Sequence, residues 1–307
     1  MTMKKLDFRT LVMLLCVASM TVFASCDNKG NEPDDPQGGS TENHGGEETP
    51  TPESPVTFTL TLLSSNEAMG TATEGGTYEK DAEVIIEATA KKEACVFVKW
   101  SDGNTENPRT LTMTENITLT AEFDYAYVDL GLSVKWAKCN VGADSVHHYG
   151  DHYAWGETEP KTVYEWSNYF DTTDGGTTFL KYSNEGGKTT LDPEDDAATV
   201  NMGGSWRMPT IEEQKELIDE CTWTWTTLNG VNGYNVEGSN GNSIFLPAAG
   251  YCNDSGLSNV GSHGYCWSSS LYTSSSKYAD NLYFGSDDVD WSGYYRYCGQ
   301  PVRGVCE

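Results

Sequence analysis

Few residues of this chain stand in an arrangement suited to bond-making chemistry. His147, His148 and His152 gather around Asp151, types that could ligate a metal, but Gly150 breaks any helix between them and no fixed ligand face follows. Asp192, Glu194, Asp195 and Asp196 offer the hard oxygens that Ca²⁺ takes; the plainer reading is an acidic first turn favouring the dipole of a helix at 195–200. The chain holds no Gly-x-Ser-x-Gly elbow, no phosphate-cradling Gly-Lys-Ser/Thr loop and no His-Glu-x-x-His. No metal or cofactor is expected, and the chain reads as non-catalytic. Beyond Cys16 and Cys26 the cysteines are Cys95, Cys139, Cys221, Cys252, Cys266, Cys298 and Cys306, an odd number that leaves one thiol free or paired between chains. Cys139, Cys221 and Cys306 are expected to be buried.

The residues that do suggest a task are those of recognition. In 250–299, 39 of 50 residues are Gly, Ser, Thr, Asn, Asp, Tyr, His or Cys. Tyr supplies rigid amphipathic contact area, and Ser, Gly and Asn supply adaptable hydrogen bonds, as in a paratope. The expected ligand face comprises Tyr251, Asn253, His263, Tyr265, Tyr272, Tyr278, Asp288, Trp291, Tyr294, Tyr295 and Tyr297. Trp and Tyr carry binding hot spots and also stack on sugar rings, so the expected partner is a protein or a glycan. The alternative is that long loops in β-rich folds are polar and Tyr-rich without any ligand.

The elements that must hold these residues are mainly strands. The chain has 307 residues, with 19 Lys+Arg against 46 Asp+Glu and a net charge of −27, which excludes nucleic acid as a partner. Its 9 Trp, 17 Tyr and 9 Phe are too many for a disordered acidic chain. Lys4, Lys5 and Arg9, then the apolar stretch 11–24, form a secretory signal at 1–25 that is too short to span a bilayer. Residues 26–55 lack aromatic and long aliphatic side chains up to Pro55 and form an acidic tether. In 56–124, alternation at 56–62 and 117–123, with runs at 83–90 and 95–100, predicts a small β module with Trp100 in its core. In 125–307, Thr210-Ile-Glu-Glu213 is a capping box that opens a helix at 211–220, with Trp206 filling the core beneath it and Arg207 paired to a carboxylate or carbonyl. Asn242–Pro247 reads as a buried strand. The fold class is mainly β, with an α+β head.

Several blocks carry resemblances. Phe23-Ala24-Ser25-Cys26 resembles a bacterial lipoprotein signal, which implies lipidation of Cys26 and anchoring in lipid; Asp27, Glu32, Asp34 and Asp35 resemble the surface-export signal of Bacteroidota lipoproteins. The outer-membrane surface is therefore the expected location. Gly75-Gly76-Thr-Tyr78, Val84–Ala88, Phe97–Gly103, Asn107-Pro-Arg109 and Ala121-Glu-Phe123 resemble the divergent internalin-B-type repeat, which implies a spacer. Tyr127–Ala143, Tyr149-Gly-Asp151, Ala154–Pro160, Leu191–Ala197, Gly204–Thr210, Gly241–Gly250, Trp267–Ser270 and Val302-Arg303 resemble the Fibrobacter succinogenes major paralogous domain. That resemblance implies a C-type-lectin-like fold related to formylglycine-generating-enzyme-like domains, an activity that would need a dedicated reactive cysteine pair. The same fold serves the variable proteins of diversity-generating retroelements, whose adenine-targeted codons reach the residue types enriched in 250–299. Asp144-Ser145-Val146 and Asp171-Thr172-Thr173 resemble Bacteroidota O-glycosylation sites. The expected function is surface recognition or adhesion; a surface-coat subunit without a soluble ligand is the alternative.

Overall fold

The computed structural model describes residues 54–307. The expected signal segment 1–25, the expected lipidation at Cys26 and the expected tether up to residue 53 lie outside the described residues. Among the described residues no helix is long and apolar enough to cross a membrane. The fold is mostly β.

The alternating residues of 56–62 form β1 (Thr57–Ser64), which turns Leu60 inward and leaves Thr59 and Thr61 exposed. β1 lies between β3 (Gly76–Glu79) and, in parallel, β8 (Ile117–Tyr125), with β6 (Cys95–Trp100) on the outer edge. Trp100 sits fully buried among Leu60, Ile86, Leu111, Met113 and Leu119, and its indole N–H donates to the Glu106 carbonyl at 3.0 Å. The run expected at 83–90 is two strands, β4 (Glu83–Ile86) and β5 (Ala88–Ala90). The Asn107 side chain divides them, since it accepts from Ala88 N–H at 2.8 Å and donates to Ala88 C=O at 2.7 Å. β4 then pairs with β7 (Arg109–Thr112) and β5 with β2 (Gly70–Ala72).

In the head, β9 (Tyr127–Val128), β10 (Lys135–Ala137) and β19 (Val305–Cys306) bring the two ends of the segment into one sheet. β11 (Thr222–Leu228), β12 (Val231–Glu237) and β13 (Ser243–Pro247) form a meander, and β13 is the buried strand expected before Pro247. β14 (Tyr251–Asn253) and β15 (Gly256–Ser258) make a hairpin. β16 (Gly264–Leu271), β17 (Tyr278–Phe284) and β18 (Val289–Tyr295) form the sheet that carries most of the Tyr-rich stretch. One core joins Trp136, Leu217, Val236, Ile244, Leu246, Leu282, Phe284 and Val305; a second joins Tyr153, Trp155, Tyr182, Trp267, Leu271 and Val302. Arg303 is fully buried, and its guanidinium donates to Asn140 Oδ1 and to the carbonyls of Ala137, Lys138 and Phe245.

Two helices pack on these sheets. The expected helix is α2 (Ile211–Glu220): Thr210 Oγ1 accepts from Glu213 N–H, and Glu213 accepts from Thr210 N–H at 2.8 Å. Arg207 grips the same Glu213 carboxylate with two bonds, at 2.8 and 2.6 Å. The other helix starts later than expected. Residues Pro193–Asp195 make a 3-10 turn, and Asp196 then caps α1 (Ala197–Met202) by accepting from Thr199 N–H at 2.9 Å. Trp206 departs from the expectation too: it packs with Ala137, Cys306, Tyr125 and Met202, and donates to Asp124 of the repeat at 3.2 Å. Trp206 therefore seals the junction between repeat and head rather than the underside of α2.

Candidate ligand-binding face

The register of β17 against β18 decides which tyrosines share a surface. Tyr278 faces Tyr295, Leu282 faces Trp291 and Phe284 faces Val289 on one side of the sheet. Ala279 with Tyr294, Asn281 with Ser292 and Tyr283 with Asp290 lie on the other, because successive strand side chains alternate. The tyrosines consequently separate into two assemblies.

The first is a packed cluster. Tyr251 lies 5.0 Å from both Tyr265 and Tyr294 between ring centroids, Tyr265 lies 5.3 Å from Tyr283, and His263 stacks on Tyr283 at 5.7 Å. Tyr265 is 7% exposed, and its hydroxyl accepts from Asn259 Nδ2 at 3.0 Å. Burial raises the Tyr265 and Tyr294 hydroxyls above the usual tyrosine range. Edge-to-face rings at these distances bind one another and seat β14–β15 on the sheet.

The second assembly is an arc of six rings. From Tyr272 it passes to Tyr278 at 6.2 Å, Tyr295 at 4.7 Å, Tyr297 at 5.6 Å, Trp166 at 4.8 Å and Phe179 at 5.8 Å. Tyr295 is 39% exposed. Burial pushes the Tyr297 hydroxyl up to about 12, so this ring stays neutral at ordinary pH.

Trp166 and Phe179 come from the irregular segment 156–190, and neither was expected in the ligand face. A buried ion pair positions them. Arg296 Nη2 lies 2.8 Å from Asp171 Oδ2, with both side chains at most 1% exposed. Asp171 also accepts from the N–H groups of Leu180, Lys181 and Tyr182, which bends the segment back on itself. The Arg296 guanidinium sits 4.0 Å from the Phe179 ring centroid. Gly176, at φ 84°, passes so close to the Trp166 indole that a Cβ would lie 2.5 Å from it. The available signal was Arg296 itself, the one arginine in a stretch otherwise filled with small polar residues.

Two open depressions border the arc. One, of about 500 Å³, runs between Thr177–Phe179 and Thr273–Lys277, with Asn184 and Glu185 at one end. Asn184 shapes it by donating twice, from its side-chain amide to Tyr272 C=O at 2.9 Å and from its backbone N–H to the Ser276 hydroxyl oxygen at 2.9 Å. The other, of about 570 Å³, lies between Glu165–Ser167 and Thr172–Gly175.

The structure thus brings Tyr251, His263, Tyr265 and Tyr294 together in the packed cluster, and Tyr272, Tyr278, Tyr295 and Tyr297 together in the arc. Trp291 stands apart, 40% exposed, with Lys215 Nζ of α2 4.3 Å from its ring centroid. Asp288 lies in the β17–β18 turn, where its C=O accepts from Gly285 N–H, and Asn253 ends β14 with its amide oxygen 3.9 Å from Cys298 Sγ. Asn259, Tyr283, Trp166 and Phe179 join the assemblies without having been anticipated.

The other expected chemistry resolves as follows. Lys181 binds Asp192, Glu194 and Asp195 at 2.8, 3.0 and 2.6 Å, and Lys188 also binds Asp192. Among the described residues no group of three or more His, Cys, Asp or Glu is placed to hold a metal ion. His152 turns away from its neighbours to Ala249 C=O at 3.3 Å. All seven cysteines from Cys95 to Cys306 are free thiols; Cys139 and Cys306 are buried, whereas Cys221 is half-exposed. Thr172 is buried, donates to Asp174 and accepts from Gly176 N–H, so a glycan on its hydroxyl would require that turn to open.

Residues 60–127 match the family model of the divergent InlB B-repeat domain. No curated protein and no solved structure matches the chain.

Proposed function

We propose that this protein is a lipid-anchored surface protein whose head, of the Fibrobacter succinogenes major type, binds a protein or glycan ligand without catalysis. The observation that carries the reading is the arc of partly exposed rings bordered by two hydroxyl-lined depressions. The InlB-type repeat supports a surface setting, and the residues before Cys26 support the anchor. Tyr295→Ala and Trp291→Ala remove exposed rings from two separate places. The chain, purified from residue 27 onward, is to be tested on arrays of glycans and surface proteins, with binding expected and weakened by Tyr295→Ala. No binding to any arrayed partner, or binding that both variants leave unchanged, would sink the reading. Anchoring is checked by labelling cells with radioactive palmitate, where Cys26→Ala is expected to abolish incorporation.

One observation favours assembly into a surface coat as a second reading. Val96 and Val98 are 43% and 44% exposed on β6, the edge strand of the repeat sheet, a position that sheets ordinarily protect with charge. Crosslinking on intact cells separates the readings, since Val98→Lys is expected to reduce self-crosslinking only if that edge pairs between copies.

A further inference from the structure

The geometry points to a specific ligand class for the head: an uncharged oligosaccharide of several residues, lying along the ring arc and reaching into the two depressions that border it. This rests on the binding-module reading above and assigns its site and its chemistry.

Three features fix the class. The first is the wall chemistry. Six of the eleven residues lining the first depression are Thr177, Thr178 and the Thr273–Ser276 run, short hydroxyls that donate and accept within the same few ångströms. A ligand made of vicinal hydroxyls matches such walls. A protein partner would ask for an apolar core, from which Ser is depleted.

The second is charge. Glu185 and Lys277 are the charged residues on the first depression, one of each sign, and Glu165 and Asp174 are both acidic on the second. The chain carries a net charge of −27. A uronate or sulfated glycan would meet like charge at the second depression and at long range. The Asp174 carboxylate accepts from Thr177 and Thr178 N–H, which leaves it an acceptor rather than a donor.

The third is length. Phe179 lines the first depression and Trp166 the second, and their rings are 5.8 Å apart. The depressions are thus neighbours across one pair of rings, and the arc continues through Tyr297, Tyr295 and Tyr278 to Tyr272, beside Thr273. One sugar ring cannot contact both depressions and the arc; a chain can, placing the C–H faces of successive sugars on successive aromatic rings.

The test uses the chain from residue 27 onward, with cellohexaose, xylohexaose, mannohexaose, maltohexaose and laminarihexaose as neutral probes, glucose and cellobiose as short ones, and hexagalacturonate and a heparin hexasaccharide as anionic ones. Titrations are followed by calorimetry and tryptophan fluorescence. At least one neutral hexasaccharide is expected to bind, at least tenfold more tightly than the corresponding mono- or disaccharide. Ser274→Trp fills the first depression from a position whose side chain holds no structural hydrogen bond, and is expected to weaken binding at least tenfold. Tyr295→Ala is expected to do the same from the arc, with circular dichroism and the unfolding midpoint showing that both variants fold. Trp166→Phe is expected to weaken binding and to remove most of the fluorescence change.

Neutral hexasaccharide binding that survives Ser274→Trp and Tyr295→Ala but is weakened by Trp291→Ala overturns the site and leaves the binding-module reading standing; binding that survives all three variants overturns both. Preference for the anionic probes overturns the assigned class. Binding of an arrayed protein with no oligosaccharide bound also overturns the inference alone. A head that binds neither oligosaccharide nor protein overturns both.

Discussion

A single buried charge does more to organise the candidate site than any of the tyrosines that mark it. Arg296 neutralises Asp171 inside the head and carries Phe179 against its guanidinium, so the irregular segment and the sheet are joined at one point. Arg296→Met leaves the Asp171 carboxylate buried with backbone donors only. Removing one partner of a buried pair costs about 3–5 kcal/mol, and a fall of that order in the unfolding free energy by urea titration is expected. A loss below about 1 kcal/mol would show the pair to be dispensable. Asp280 presents the opposite case. It is 4% exposed on β17, its Oδ1 has no hydrogen-bond partner, and burial pushes its carboxyl up to about 6, against the pull of nearby Lys215. A carboxyl whose folded pKa lies above its unfolded value of about 4 opposes folding once it ionises. Stability from this group is whole below about pH 4, declines as pH rises through 6, and is constant above. Asp280→Asn removes the titration, so the unfolding midpoint of the variant relative to the natural chain is expected to rise from pH 4 to pH 7. A difference independent of pH would place the penalty elsewhere. The thiols follow the same physics of burial: it pushes Cys139 and Cys266 up to about 11 and Cys298 up to about 12. These three are expected to resist an aromatic disulfide reagent until the chain unfolds, whereas half-exposed Cys221 and Cys252 react in the folded protein.

Elements whose logic is local could be read directly. The capping box at Thr210 and Glu213 is satisfied within one turn, and α2 occupies the expected residues. Thr210→Ala is expected to cost about 1 kcal/mol by thermal unfolding, since it orphans the Glu213 N–H and loosens the grip of Glu213 on Arg207. β1, β6, β8 and β13 declared themselves by period-two or continuous apolar residues flanked by turns. Segment 156–190 did not, because almost none of its order is periodic. Its isolated bridges, Tyr164 with Asp254, Thr172 with Phe179, Tyr182 with Lys188 and Thr190 with Ser270, join positions far apart or folded back on themselves, and Asp171 supplies the rest. No sequence pattern encodes a side chain that accepts from three backbone N–H groups ten residues on. The Tyr-rich stretch was legible as aromatic surface but not as two surfaces. Strand alternation separates Tyr294 from Tyr295, yet which of them meets solvent depends on Tyr251 and Tyr265 covering one side. Composition also overstated the polar face: Ser268 and Ser269 are buried, with their hydroxyls donated to Asp280 C=O and Pro209 C=O, and Asn281 accepts from Ser292 inside the sheet.

At the scale of the whole described chain, the repeat and the head are one body rather than a spacer and its load. Residues 54–307 form a single compact unit. Met69, Ala94 and Cys95 of the repeat pack against Cys139 and Ala143 of the head. Ala94 N–H donates to Asp144 C=O, Ala126 N–H donates to Ala94 C=O, and Lys92–Asp144 and Glu93–Lys138 pairs flank the contact at 2.7 and 3.4 Å. The flanking pairs are exposed and contribute little, so the apolar contact and the Trp206–Asp124 bond carry the junction. An inter-domain hinge should lie in a polar linker crossed by few contacts; here the strand β8 ends at Tyr125 and β9 begins at Tyr127, with the intervening Ala126 bonded on both sides. The ring arc is therefore carried at a fixed orientation to the repeat. Calorimetry of the chain from residue 27 onward is expected to show one unfolding transition whose van't Hoff and calorimetric enthalpies agree. Ala143→Asp puts an unpaired carboxylate into the buried contact and is expected to split that transition into two, while leaving the heat of each part intact. Two transitions in the natural chain would mean that the junction is too weak to couple the parts, and that the repeat turns freely on the head after all.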